Sequence, residues 1–313
     1  MNGKELRRWV RLRAVASLPR LLGILPERWG RGFCAAVGRA GHLAVGRDRQ
    51  LARRNLRRVH PDWSDARIRR EAGRVFEEIG RNAYDFLRYP ELSEEQRARL
   101  VAIEGREHLD AALAAGRGAI LVTGHLGSWE VLAAALVREG YPLCSLARPL
   151  RERRLDRALA EHRQRMGVRT ISSERLPIQA LRHLRRGGFL GVLADQRIRR
   201  GGVTVEFLGQ ETRMTAGPAR LAAVAGAAIV PLGIHRLADG THRITVLPPL
   251  PVDADPFRAT QATARALESL IRSAPEQWSW IQPRWEDAPP APLPACATAG
   301  GFREEREDAC ARG

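Results

Sequence analysis

A histidine and a glutamate five positions apart, in Gly118-Ala-Ile-Leu-Val-Thr-Gly-His125-Leu-Gly-Ser-Trp-Glu130, are the residues of this chain best suited to moving a proton. Gly118 to Val122 reads as a buried strand and Trp129 to Arg138 has helical apolar spacing, so His125 falls on the turn leaving the strand. From that turn the imidazole can face a cleft, while Glu130 on the first helical turn curls back towards its other ring nitrogen. A carboxylate held there fixes the tautomer and stabilises the imidazolium formed when the histidine removes a proton from a hydroxyl or amine. Gly124 and Gly127 permit the tight backbone turn and close approach of a substrate. Ser128 opens a second chemistry, a hydrolase with that serine as nucleophile and His125 as base. The local string Leu126-Gly-Ser128-Trp-Glu lacks the G-x-S-x-G elbow that such enzymes use.

The elements that must hold these groups follow from periodicity. Strands are expected at Ala119 to Thr123, Leu143 to Ala147, Arg169 to Ile171, Phe189 to Ala194, Ala228 to Ile234 and Arg243 to Val246. Helices intervene at Trp129 to Arg138, Arg151 to Met166, Leu176 to Arg185 and Pro218 to Val224. Such alternation implies an α/β fold: a mixed, mostly parallel central sheet flanked by helices. Ligands collect at the carboxyl ends of strands in such sheets, where His125, Arg148 and Asp195 all fall. Residues 1–100 read as a helical N-terminal region. Within it, Asp65 to Leu87 carries the stripe Ile68, Ala72, Val75, Phe76, Ile79, Ala83 and Phe86, with Ser64 placed to cap it. Residues 101–287 form the expected catalytic region, and 288–313, rich in proline and glycine, an expected disordered tail.

The ordered motifs make the chain recognisable. His125-Leu-Gly-Ser-Trp-Glu130 resembles the H-x4-D/E motif of lysophospholipid acyltransferases, in the H-x-G-x-W-E form of the bacterial lipid A biosynthesis (lauroyl/myristoyl) acyltransferases. Ala147-Arg148-Pro149, Leu190-Gly-Val-Leu-Ala-Asp195-Gln196, Val203-Thr-Val-Glu-Phe207-Leu208-Gly209 with Thr215-Ala-Gly217, and Pro275-Glu-Gln-Trp278-Ser-Trp280 with Arg284-Trp285 resemble that family's later segments in order. The resemblance spans about residues 5 to 286. Leu208 stands where a second phenylalanine is common, and Arg197-Ile-Arg-Arg200 makes one loop unusually basic.

The resemblance implies a glycerolphosphate-acyltransferase-like fold and transfer of a fatty acyl chain from acyl carrier protein or acyl-CoA to a hydroxyl of a lipid A precursor. Another phospholipid, glycolipid or aminolipid is the alternative acceptor. It also implies a site at the cytoplasmic face of the bacterial inner membrane. His125 and Glu130 are the expected catalytic residues, and Arg148 and Asp195 the expected contacts to an oxyanion or phosphate. Gly127, Ser128, Trp129, Gln196 and Thr215 are expected to shape the substrate site. No cofactor is called for.

Composition narrows the remaining classes. The net charge of +17 invites an anionic partner such as a membrane surface or an acidic carrier protein, although Lys4 is the only lysine among 52 basic residues, a chain-wide drift towards arginine. Nucleic acid is not expected, because no aromatic platform or recognised binding motif accompanies the charge. His125 and Glu130 fit no zinc-binding spacing, and His162, His183, His235 and His242 fall in separate elements, so no metal site is expected. The four cysteines form no pairing pattern. No uninterrupted apolar run approaches the ~20 residues that span a bilayer. Arginines beside Trp9, Leu12, Leu18, Leu21, Leu22, Leu25, Trp29 and Phe33 suit helices lying in an anionic membrane interface instead.

Overall fold

The computed structural model describes residues 26–285, apart from 151, 173–175, 200 and 253–254. The arginine-flanked segment before Pro26 and the expected disordered tail lie outside the described residues.

Three helices come first: α1 (Glu27–Ala44), α2 (Gly46–Val59) and α3 (Asp65–Arg88). α3 starts where Ser64 accepts a hydrogen bond from the Arg67 amide at 3.3 Å, as the capping pattern predicts. Its buried face holds Ile68, Ala72, Val75 and Phe76. Towards the C-terminal end the stripe departs from expectation, with Ala83 exposed and Tyr84 and Asp85 turned inward. α1 crosses α3 almost backbone to backbone: a Cβ on Gly38 would lie 2.1 Å from the Phe76 carbonyl oxygen, and one on Gly80 2.0 Å from that of Cys34. Away from that crossing, α1 leaves Trp29, Phe33 and Val37 exposed at four-residue spacing.

After α4 (Glu94–Leu100) the chain builds one seven-stranded sheet in the order β1-β9-β8-β2-β5-β3-β4. The strands are β1 (Val101–Glu104), β2 (Ala119–Thr123), β3 (Leu143–Ala147), β4 (Arg169–Ser172), β5 (Phe189–Leu193), β8 (Ala228–Arg236) and β9 (His242–Val246). Every pairing is parallel except β8 with β9, so the sheet is mixed and mostly parallel. β2 is buried along its whole length because helices cover both faces. α5 (Arg106–Ala114), α6 (Trp129–Arg138) and α7 (Arg153–Arg165) alternate with the early strands, and α8 (Leu176–Arg185), α9 (Gly217–Ala225) and α10 (Pro256–Ser273) complete the layers.

Three strands and two helices, α5 and α10, lie outside the sequence expectation. β1 is only four residues long and half-exposed, so it carries little periodicity. β6 (Val203–Phe207) and β7 (Gln210–Met214) form a separate antiparallel hairpin. Its two-residue turn places Leu208 at φ 54° and Gly209 at φ 71°, the signature of a type I′ turn. Leu208 is buried, and its amide donates to Glu268 Oε1 at 2.7 Å. No helix among the described residues is long and apolar enough to cross a membrane.

Candidate active site

His125 sits two residues beyond β2, where the sheet order places β5 on one side and β8 on the other. Its Nδ1 lies 2.8 Å from Asp195 Oδ1, and its backbone amide donates to Asp195 Oδ2 at 2.9 Å. Asp195 follows β5 by two residues, so the parallel pairing of β2 and β5 delivers both side chains to one end of the sheet. With Nδ1–H donated to a carboxylate, Nε2 carries the lone pair and faces the Gln196 amide nitrogen at 3.3 Å. The ring therefore presents Nε2 as an acceptor to the Gln196 amide.

This geometry reassigns the orienting carboxylate. Glu130 does not curl back to His125; it accepts from Arg163 of α7, Nη2 to Oε1 at 2.5 Å and Nε to Oε2 at 2.9 Å. The physical reason is directional. Glu130 stands one position into α6, on the side facing α7, where a guanidinium fork matches its two oxygens. Asp195 is likewise not an oxyanion or phosphate contact. It is an anion, completely buried, with both oxygens already accepting hydrogen bonds. Burial alone would push its carboxyl up, but Arg284, 2.9 Å from Oδ2, and His125 hold it well below the usual carboxylate range.

The segment after α10 closes around this pair. Trp278 Nε1 donates to Asp195 Oδ2 at 2.9 Å, and the Arg284 guanidinium lies 4.6 Å from the centre of the Trp278 ring. Ser279 N–H donates to the His125 carbonyl and Gly127 N–H to the Gln277 carbonyl, each at 2.9 Å. The Gln277 side chain bridges back to both backbone groups of Arg236, at 2.7 and 3.0 Å. Gly127 has φ 52°, and a Cβ there would meet the Ile234 carbonyl oxygen at 2.1 Å, so the turn fits against β8 only without a side chain. Trp278 and Arg284 were visible only as part of a terminal motif. Nothing in their spacing from His125 announces that they reach Asp195.

Ser128 points away from the base. Its hydroxyl donates to Asp85 Oδ2 at 2.8 Å, in a buried cluster where Arg236 also binds Asp85, Asn82 and Glu78. His242 Nε2 lies 3.2 Å from the same Asp85 oxygen. Desolvation opposes ionisation of Asp85, yet His242 and Arg236 hold its carboxyl well below the normal range. The hydroxyl bonds Asp85 and not His125, so the serine–histidine pairing that the hydrolase alternative calls for is not formed.

The remaining expected residues divide. Trp129 sets its ring 5.1 Å from the His125 ring and walls a small cavity of about 50 Å³ with Glu130, Arg163, Ala133, Leu121 and Leu143. Gln196 is exposed beside Nε2 and also donates to Gln282 at 3.1 Å. Arg148 is exposed just after β3 and does not join the cluster. Thr215 belongs elsewhere: its hydroxyl accepts from Gly217 N–H at the start of α9, and it lines an apolar groove of about 340 Å³ with Ile120, Leu190 and Leu221. Among the described residues, no group of three or more His, Cys, Asp or Glu could hold a metal ion.

Comparison with known proteins agrees with this architecture. The profile of the bacterial lipid A biosynthesis acyltransferase family matches residues 3–287. A phosphatidylinositol mannoside acyltransferase of Mycolicibacterium smegmatis is 31% identical over 275 residues, covering 85% of this chain and 88% of that protein. The phosphatidylinositol mannoside acyltransferase of Mycobacterium tuberculosis is 33% identical over 217 residues, 67% of this chain and 68% of its own. A lipid A biosynthesis acyltransferase of Haemophilus influenzae is 24% identical over 266 residues, 83% of each chain. With a family match along nearly its whole length and a mycobacterial relative 31% identical over 85% of the chain, this chain is an acyltransferase of the bacterial lipid A biosynthesis acyltransferase family.

Proposed function

We propose that the protein transfers a fatty acyl chain from a thioester donor, acyl carrier protein or acyl-CoA, to a sugar hydroxyl of a membrane glycolipid. The observation that carries this reading is the His125–Asp195 contact, which leaves Nε2 as the acceptor nitrogen of the ring, beside the Gln196 amide. In the reaction His125 Nε2 takes the proton of the acceptor hydroxyl as its oxygen attacks the thioester carbon. The C–S bond then breaks, and the imidazolium returns the proton to the departing thiolate. Asp195 stabilises the imidazolium in between.

Glu130, clamped by Arg163, lines the cavity and does not bond Nδ1. The apolar wall of that cavity, next to Trp129, suits the first carbons of the acyl chain. Arg148, exposed just after β3, supplies the cation for the oxyanion or a donor phosphate. The exposed row Trp29, Phe33 and Val37 supports attachment to an anionic membrane surface, on the cytoplasmic side where thioester donors are made.

The mycobacterial identities of 31–33%, against 24% for the Haemophilus protein, favour a mannosylated phosphoinositide as acceptor. A lipid A precursor is the second reading, supported by the family match and by a lipid A biosynthesis lauroyltransferase of Escherichia coli, 26% identical over 260 residues. The test is acylation of each purified glycolipid by the purified protein with palmitoyl-CoA or acyl carrier protein thioester, read by mass spectrometry. Acyl transfer to neither lipid would overturn the assignment of a glycolipid acceptor.

A further inference from the structure

Asp195 is a fully buried anion beside a base that must rest uncharged to accept a proton, which is a physical conflict. An isolated buried carboxylate stabilises a neighbouring imidazolium and would keep His125 protonated. The structure sets a second charge against it. Arg284 is 1% exposed, its Nη1 lies 2.9 Å from Asp195 Oδ2, and it also donates to the Asp195 backbone carbonyl. Trp278 covers the guanidinium and donates to the same carboxylate oxygen. Asp195 thus offers Oδ1 to His125 Nδ1 and Oδ2 to the cation.

We infer that Arg284 is a positioning residue for acyl transfer: by neutralising Asp195 from the side opposite the imidazole, it keeps His125 oriented yet uncharged before substrate arrives. The inference rests on His125 acting as general base. With neutral His125 the buried trio sums to zero charge; with His125 protonated it carries one uncompensated positive charge out of water. Without the guanidinium the balance reverses, because an ion pair of imidazolium and carboxylate becomes the neutral arrangement.

The other charged groups around His125 are already balanced. Glu130 pairs with Arg163 on the α7 side; beneath Ser128, Asp85 faces Arg236, Arg31 and His242, and Glu78 faces Arg236 and Arg81. Gln196 at Nε2 and Trp129 against the ring are uncharged. Arg284 is the cation that contacts the carboxylate bonded to the ring.

The experiment is an NMR titration of the His125 ring in ¹³C-histidine-labelled protein, with the pH profile of kcat/KM for palmitoyl-CoA measured on the same variants. Arg284→Met is expected to move the His125 midpoint and the acidic limb of the profile up by one pH unit or more, a tenfold tighter hold on the proton. Arg284→Lys, which keeps the charge, returns both to within ~0.3 unit of wild type. Asp195→Asn leaves Arg284 unopposed and moves the midpoint down. An unmoved or lowered midpoint in Arg284→Met overturns the inference, whatever happens to the rate. Should Arg284→Met not fold, a midpoint in Asp195→Asn that stays or rises overturns it equally. Because the titration needs no turnover, an inactive protein with the expected midpoints would refute the proposed reaction and leave the charge balance standing.

Discussion

Replacing Asp195 with asparagine removes the anion that holds His125 and leaves its shape nearly intact. The bond lost is charge-assisted, 2.8 Å long and fully buried, so it is worth about 1.5–3 kcal/mol. At ~1.4 kcal/mol per decade that is roughly 10- to 150-fold in kcat from the bond alone. An asparagine that turns its NH₂ towards Nδ1 also selects the wrong tautomer, which moves the proton to Nε2 and deepens the loss. Stability falls as well, because Arg284, 1% exposed, loses its counter-charge; breaking such a pair from one side costs about 3–5 kcal/mol. The assays are acyl transfer under saturating donor, urea denaturation, and the ¹⁵N shifts of the His125 ring. Glu130→Gln provides the contrast. Whatever it does to substrate handling, it leaves the Nδ1–H tautomer in place, since Glu130 bonds Arg163. The reasoning fails if Glu130→Gln switches the tautomer and Asp195→Asn does not, or if Asp195→Asn retains more than about a third of wild-type kcat.

Four further outcomes follow from the same geometry. Ser128→Ala keeps kcat within about tenfold, because the hydroxyl serves Asp85 and not His125, while stability drops by only about 0.5–1.5 kcal/mol for the lost hydrogen bond, Arg236 still satisfying the Asp85 oxygen; activity loss equal to that of His125→Ala would restore the serine mechanism. Gly127→Ala unfolds at distinctly lower urea, by about 1–3 kcal/mol or more, since a Cβ would sit 2.1 Å from the Ile234 carbonyl; an unchanged midpoint would contradict the tight fit. Asp85 and Asp195 both ionise more readily in the folded chain than in the unfolded one, so their stabilisation is complete above the unfolded carboxylate value of about 3.9 and is lost as pH falls below it. Asp85→Asn should therefore flatten the acid limb of the unfolding curve. Ala133→Leu fills the cavity beside Trp129 and shifts donor preference to shorter chains, by about fourfold for each methylene displaced at ~0.8 kcal/mol; unaltered chain-length selectivity would place the acyl chain elsewhere.

Much of the protein was legible along the chain because the determining interactions are local or periodic. Continuous apolar runs bounded by glycine mark strands buried on both faces, and Ala119–Thr123 and Leu143–Ala147 were readable to the residue. The His125 turn, the Ser64 cap and the parallel layering follow from the same short-range rules. β1, the β6–β7 hairpin, α5 and α10 were not among the expected elements; for β1 and the hairpin the reason is that a short, half-exposed strand has little pattern to detect. Ala83 and Asp85 exchanged their expected places because a buried arginine from β8 supplies the charge that makes an inward aspartate affordable.

The sequence by itself determined where His125 sits, on the turn leaving a buried strand, and what kind of sheet presents it. Tertiary structure decided which carboxylate serves it. His125 and Glu130 are neighbours in the chain, but helix direction turns Glu130 to Arg163; Asp195, 70 residues away, arrives because β5 lies beside β2 in parallel register. Arg284, 89 residues beyond Asp195, completes the site through the fold of the segment after α10. Partners at such separations leave no trace in local spacing, because burial and strand order, and not chain distance, bring opposite charges into contact.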